Sequence, residues 1–232
     1  MTFMKGSHCG LGNLHAFDSS GEIAYRLLGF SQNDKSDRRQ TNWFDIEKQN
    51  DLPAIFDKFS AAMGDETANQ ALRQTINFYR ASNVSREVSL EMAIIAAHSS
   101  LEAIVNYILA SQAGWSKALM AERSVSFADK LRAAASFYKL DCNILEHSPA
   151  LIALSKSRSD LDPYGMISFI RNKLVHQDTK YVPKGIELHE AWLIAQWLVE
   201  VLIFGVIGYG GKMIDRRIYN GWRGTTSAIP IS

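Results

Sequence analysis

From Asp51 onward the apolar positions recur with a helical period, whereas the first fifty residues show none. Leu52, Ile55, Phe56 and Phe59 fall at i, i+3, i+4 and i+7, with Asp51 in the N-cap position and Pro53 in the first turn. That spacing predicts a helix. Asp65 opens a second, through Leu72, Ile76 and Tyr79, ending near Ser82-Asn83. Ser85 is expected to cap a long third helix, with Glu87 and Glu91 near the positive end of its dipole. Its apolar stripe runs Leu90, Ile94, Ala97, Leu101, Ile104, Ile108, and Gly114 ends it. Shorter helices are expected at 126–138 and 149–156. Pro163 starts another, and the last long helix runs from Ile186 to about Tyr209. The pattern is that of an all-α bundle.

Residues 1–50 read differently. Gly6, Gly10, Gly12, Gly21 and Gly29 interrupt them, and Asp18-Ser19-Ser20-Gly21 is a turn signal between Leu14–Phe17 and Ile23–Leu27. A short β-hairpin followed by a polar loop, 31–42, is expected. This stretch is too short to bury a core alone. The chain thus divides into an N-terminal extension (1–50), a helical domain (51–215) and a C-terminal tail (216–232).

Composition narrows the function classes. The chain has 232 residues, 47% hydrophobic and 21% charged, as a soluble globular protein with a substantial core would. A net charge of +1 excludes a polycation that coats nucleic acid indiscriminately, so RNA binding would need a local basic patch. Cys9 and Cys142 are too few for a disulfide framework and fit a reducing cytoplasm. Residues 191–208 are apolar and nearly long enough to span a bilayer. Gln196 and Glu200 near their middle share one face, and an acidic residue there costs about 2.5–3.5 kcal/mol on insertion. A buried helix with a polar edge is the better reading, with no membrane partner.

The candidate chemistry sits in Arg171-Asn172-Lys173-Leu174-Val175-His176. Arginine holds a phosphate in a fork of donors, and histidine moves a proton near neutral pH. On a regular helix Arg171 and His176 lie about 140° apart, while Asn172 and His176 share a face. Loop signals begin directly after His176, so the chain can turn there and bring the ring toward Arg171. In the long third helix Glu91, His98, Glu102 and Asn106 form a polar stripe, each within about 60° of Glu91. Glu102 could accept a hydrogen bond from Arg171 or orient His176; it could equally form a structural ion pair at a solvated helix edge. Between Lys156 and Lys184 six basic residues (Lys156, Arg158, Arg171, Lys173, Lys180, Lys184) face three acidic ones (Asp160, Asp162, Asp178). Lys212, Arg216, Arg217 and Arg223, around Tyr219 and Trp222, either stack on bases and track phosphates or pack the chain end onto the bundle. His8, Cys9 and His15 fall short of a zinc site in spacing and number.

This combination resembles the HEPN superfamily, an all-α group whose signature is an arginine, four to six residues, and a histidine near a helix end. Arg171-Asn172-Lys173-Leu174-Val175-His176 matches its four-residue form. Asn77-Phe78-Tyr79-Arg80 and Ser100-Leu101-Glu102-Ala103 look like the ApeA-type branch, over roughly residues 66–210. ApeA-type chains often carry a larger β-rich region upstream than the fifty residues seen here. The resemblance implies a metal-independent endoribonuclease without cofactor, in a defence, toxin or stress-response setting, acting as a homodimer with both Arg/His pairs at one cleft. It implies that Arg171 holds the scissile phosphate, His176 handles the 2′-hydroxyl or leaving-group proton, and Asn172 positions one of them. RNA, a second copy and an antitoxin or regulatory protein are the implied partners. Inactive members of the group serve as dimerisation or RNA- and protein-binding modules, and that alternative stands beside the first.

Overall fold

Helices carry the fold of the computed structural model, which describes residues 2–7, 10, 12–29, 42–45, 51–159, 161–176, 181–218 and 226–231. A short α1 (Thr2–Lys5) precedes an antiparallel hairpin of β1 (Asn13–Phe17) and β2 (Ile23–Leu28). The helical part comprises α2 (Leu52–Gly64), α3 (Glu66–Ser85), α4 (Leu90–Tyr107) and, directly after α4, a π-helical turn, Ile108–Gln112. It continues through α5 (Lys117–Ala121), α6 (Phe127–Phe137), α7 (Pro149–Ser157), α8 (Pro163–Val175) and α9 (Gly185–Ile207). Two-residue strands β3 (Lys212–Met213) and β4 (Ser227–Ala228) pair near the chain end. The fold is all-α with a small N-terminal hairpin, as the periodicity predicts.

Local chemistry accounts for most helix starts. The Asp65 carboxylate accepts the Ala68 N–H at 2.7 Å, and Ser126 and Asp129 close a reciprocal capping box on α6. Asp51 precedes α2, but its side chain makes no cap bond; its carboxylate instead accepts the Tyr209 hydroxyl at 3.3 Å. The cap of α4 is Ser89, not Ser85: the Ser89 hydroxyl accepts the Met92 N–H at 3.2 Å, and Ser85 still belongs to α3. The reason is tertiary. Ser82 and Asn83 are buried and bonded into the core, so α3 has to remain helical past them.

The core is built around α3, α4 and α9. Trp192, Trp197 and Phe204 of α9 are fully buried with Leu72 and Tyr79 of α3 and Ile94, Leu101 and Ile104 of α4. By length and composition, α9 and Leu90–Gln112 could each cross a membrane, with mean hydropathies of 1.7 and 1.4. In this fold 83% of the α9 window and 56% of the other are buried inside the protein, as core helices are. Gly208, at φ +68°, ends α9 in the left-handed conformation that glycine adopts without a Cβ penalty.

The polar edge of α9 is the centre of a buried network. The Glu200 carboxylate, fully buried, accepts from Arg216 through Nε (3.1 Å) and Nη2 and from the Tyr79 hydroxyl at 2.5 Å. Burial raises the Glu200 carboxyl above the ordinary range, and the Arg216 charge opposes that shift. The Gln196 side-chain amide donates to the Tyr79 carbonyl and the Asn83 side chain, each at 3.2 Å, and the Trp192 indole N–H donates to Ser82 Oγ at 3.0 Å. Arg216, where the expected tail begins, is 2% exposed. Arg217 pairs with Asp215, and its guanidinium lies 3.7 Å from the Trp197 ring centroid. Of the two readings of this basic segment, the structure gives packing to both arginines. Tyr219, Trp222 and Arg223 lie outside the described residues.

The hairpin pairs as the turn signal predicts. The Asp18 carboxylate accepts the N–H groups of Ser20 and Glu22 at 2.9 and 3.0 Å, and Gly21 takes φ +86°. Its apolar side chains stay exposed, Phe17 at 61% and Leu28 at 66%. Of the expected polar loop, residues 31–41 lie outside the described residues, as do His8 and Cys9.

Candidate functional site

The motif helix α8 is placed by its own first turn. Pro163 fills the first helical position, and the Asp162 carboxylate caps the helix by accepting the Gly165 N–H at 2.7 Å. The same carboxylate accepts Arg132 Nε at 2.9 Å and Nη2 at 2.6 Å, which ties α8 to α6. Met166, Ile167 and Ile170 bury one face of α8, and the helix packs on α4, α6 and α9. Asp162→Ala is expected to cost about 1 kcal/mol, most of it from the lost cap, because the ion pair is half-exposed and weak. Urea denaturation checks this: a midpoint equal to wild type would remove Asp162 from the account of how α8 is set.

Arg171 leaves α8 half-buried. Its Nη1 donates to the Asn172 side-chain oxygen at 3.1 Å, so the asparagine holds the guanidinium from one side. Glu102 of α4 is near enough for the Arg171 charge to act on it. One turn earlier on α4, His98 is buried at 3% exposure, its Nδ1 lies 3.4 Å from Glu102 Oε1, and its ring packs 4.3 Å from that of Phe127 on α6. The His98 imidazole holds the Glu102 carboxyl below the usual carboxylate range; partial burial opposes this, and the charges of Arg171 and Lys130 add to it. Glu102 is therefore ionised at neutral pH, next to a cation that it can orient. Its stabilising effect on folding is complete above the ordinary glutamate range and is lost as pH falls through the lowered folded-state value.

His176 stands apart from this cluster. It is the C-cap of α8, where its backbone N–H donates to the Asn172 carbonyl at 2.9 Å and the chain turns extended (φ −108°, ψ 110°). Its ring is exposed, and no described side chain pairs with it. Asn172, one turn earlier, is exposed too. Within one chain, then, Arg171 is bonded to Asn172, its charge reaches Glu102, and His176 sits at the helix end, which regular helical geometry places about 140° around the axis from Arg171. Lys130, whose ammonium donates to the Met120 carbonyl at 2.6 Å, and Phe127 complete the neighbourhood. Nothing in local sequence marks these two, because α6 reaches the motif only through tertiary packing. The polar stripe of α4 is divided in the structure: His98 is buried, Glu102 is half-exposed, and Glu91 accepts the Ser89 hydroxyl at 2.8 Å at the helix start. Among the described residues no group of His, Cys, Asp and Glu is arranged to hold a metal. Asp160, Asp178 and Lys180, which belong to the basic stretch around the motif, lie outside the described residues.

A family model described as the YopA C-terminal domain matches residues 65–226, from the cap of α3 to the residue before β4. Over 178 residues the chain is 26% identical to the SPbeta prophage-derived uncharacterized protein YopA of Bacillus subtilis (strain 168). That match covers 75% of this chain and 38% of the relative, so the chain spans well under half of the relative's length. No solved structure matches.

Proposed function

The chain belongs to the YopA C-terminal domain family; from the motif and its surroundings we propose that it is a metal-independent endoribonuclease of HEPN type, cutting RNA at a site shared by two copies. The observation that carries this reading is the state of Arg171. It is held by the Asn172 side chain, its charge reaches the Glu102 carboxylate of α4, and it lies five residues before an exposed histidine at a helix end. In this reading Arg171 binds the scissile phosphate and stabilises charge developing on it. Glu102 and Asn172 fix its orientation. His176 takes the proton from the 2′-hydroxyl or returns one to the leaving oxygen.

The separation of Arg171 from His176 within one chain supports a dimer, in which the histidine of one copy serves the arginine of the other. The setting proposed is cytoplasmic, in a defence, toxin or stress-response system with an antitoxin or regulatory partner; the prophage origin printed in the relative's name fits it. The same separation favours a second reading, a non-catalytic module of this type that dimerises or binds RNA or protein. The two are distinguished by incubating the purified chain with a 5′-labelled, single-stranded RNA in EDTA. The first reading predicts discrete cleavage products. A folded dimer that binds the RNA and leaves it intact would establish the second.

A further inference from the structure

The face of α8 that carries His176 also carries Phe169 and Lys173, at offsets of seven and three residues along one side of the helix. Arg171 is on a different face. Phe169 pairs with Tyr181, which precedes α9, at 5.6 Å between ring centroids. Two cations cover these rings. The Arg158 guanidinium lies 4.7 Å from the Tyr181 centroid and 5.2 Å from that of Phe169, and the Lys173 ammonium lies 5.2 Å from Phe169. The platform is anchored from behind: the Tyr181 hydroxyl donates to Glu187 Oε2 at 2.6 Å, and the same oxygen accepts the Lys184 backbone N–H at 2.6 Å. That carboxylate is buried and engaged. Arg158 is exposed, and its contacts among the described residues are aromatic faces.

A guanidinium held over rings keeps its edge donors for a phosphate and its outer plane for a stacking partner. Aromatic rings interleaved with cations are the standing requirement for holding single-stranded nucleic acid without reading its sequence. The platform begins about 10 Å along α8 from His176 and reaches within one turn of it. We infer that Arg158, Phe169, Lys173 and Tyr181 form a subsite for single-stranded RNA next to the His176 end of α8. Arg158 takes a backbone phosphate, and one base stacks on the Arg158–Tyr181 pair. The inference rests on the reading that this face of α8 meets RNA, and it gives the strand preference a physical cause: bases in a duplex are already stacked on each other and cannot occupy the platform. These are positioning residues; none touches the scissile bond.

The test measures fluorescence anisotropy of a labelled oligouridylate in EDTA, with the full chain carrying His176→Ala so that nothing is cut. An abasic oligomer of the same length and an RNA duplex serve as competitors. Adding Arg158→Ala, an exposed change whose folding is verified by thermal melting, is expected to weaken oligouridylate binding about tenfold. It should also reduce the salt dependence by about 0.7 in log–log slope, one phosphate contact on a single strand. Arg158→Lys should keep the slope and lose the preference for intact over abasic RNA. Unchanged binding in Arg158→Ala, or equal binding of intact and abasic oligomers throughout, overturns the inference. If the wild-type chain cleaves RNA while Arg158→Ala binds and cleaves like wild type, the subsite falls and the ribonuclease reading stands. If Arg158 governs binding as described and the wild type never cleaves, the subsite stands and the ribonuclease reading falls.

Discussion

Arg216→Ala is expected to destabilise the protein by about 3–5 kcal/mol, since it removes one partner of a fully buried ion pair and strands the other. Glu200 accepts from Arg216 and from Tyr79 at a position with no access to water, so its carboxylate would lose its main compensating charge without gaining solvent. For a chain of this size that loss lowers the melting temperature by roughly 10 °C or more. Urea denaturation of Arg216→Ala, Glu200→Gln and the double variant Glu200→Gln/Arg216→Met separates the causes. The double variant should be more stable than the sum of the singles, because replacing both charges leaves none unpaired. An Arg216→Ala chain within about 0.5 kcal/mol of wild type would mean that α9 is held by its apolar contacts alone.

The largest effect on activity is expected from the motif. His176→Ala should reduce RNA cleavage about 10²–10⁴-fold, the usual contribution of a positioned acid or base. Stability should be unaffected, since the ring is exposed and unpaired among the described residues. Arg171→Ala should be at least as damaging, and Arg171→Lys should not restore activity, because an ammonium lacks the planar fork that Asn172 and Glu102 orient. Cleavage at wild-type rate in both alanine variants would assign the activity to a contaminant.

The helices were legible because their signals are local. Pro53 and Pro163, the cap Asp65, and the Leu90–Ile108 stripe act within a turn or two of where they stand, and α2, α3 and α8 start where they predict. Local sequence puts the cap of α4 at Ser85, and the structure puts it at Ser89. What decides between them is the burial of Ser82 and Asn83 against α9, more than a hundred residues away, which sequence spacing does not display. Arg216 was illegible for the same reason. In sequence it stands among basic residues near a chain end; its partners are Glu200, 16 residues away, and Tyr79, 137 away. Of the candidate site, Glu102 was open in the sequence to two readings, because α4 and α8 each expose a polar residue beside an apolar face; in the structure it pairs with His98 at 3.4 Å, and Arg171 acts on it through its charge. The position of His176 relative to Arg171 depends on where α8 stops and how the chain leaves it. Helical periodicity puts the two on different faces, and His176 stands at the C-cap of α8, where the backbone turns extended. The hairpin shows the limit of the alternation rule: the turn chemistry of Asp18–Gly21 specifies β1 and β2, yet the pattern of apolar residues does not say what they would be buried against.

Two residues on different faces of one helix serve one site when a second copy supplies the missing partner. Complementation tests such a shared site: co-express the Arg171→Ala chain with a differently tagged His176→Ala chain, purify the mixed dimer through both tags, and assay single-stranded RNA in EDTA. Each variant alone should be inactive. In the mixed dimer one subunit keeps its arginine and the other its histidine, and cleavage should return to a substantial fraction of the wild-type rate. A mixed dimer that is folded, doubly tagged and as inert as either parent would contradict a site shared between two copies.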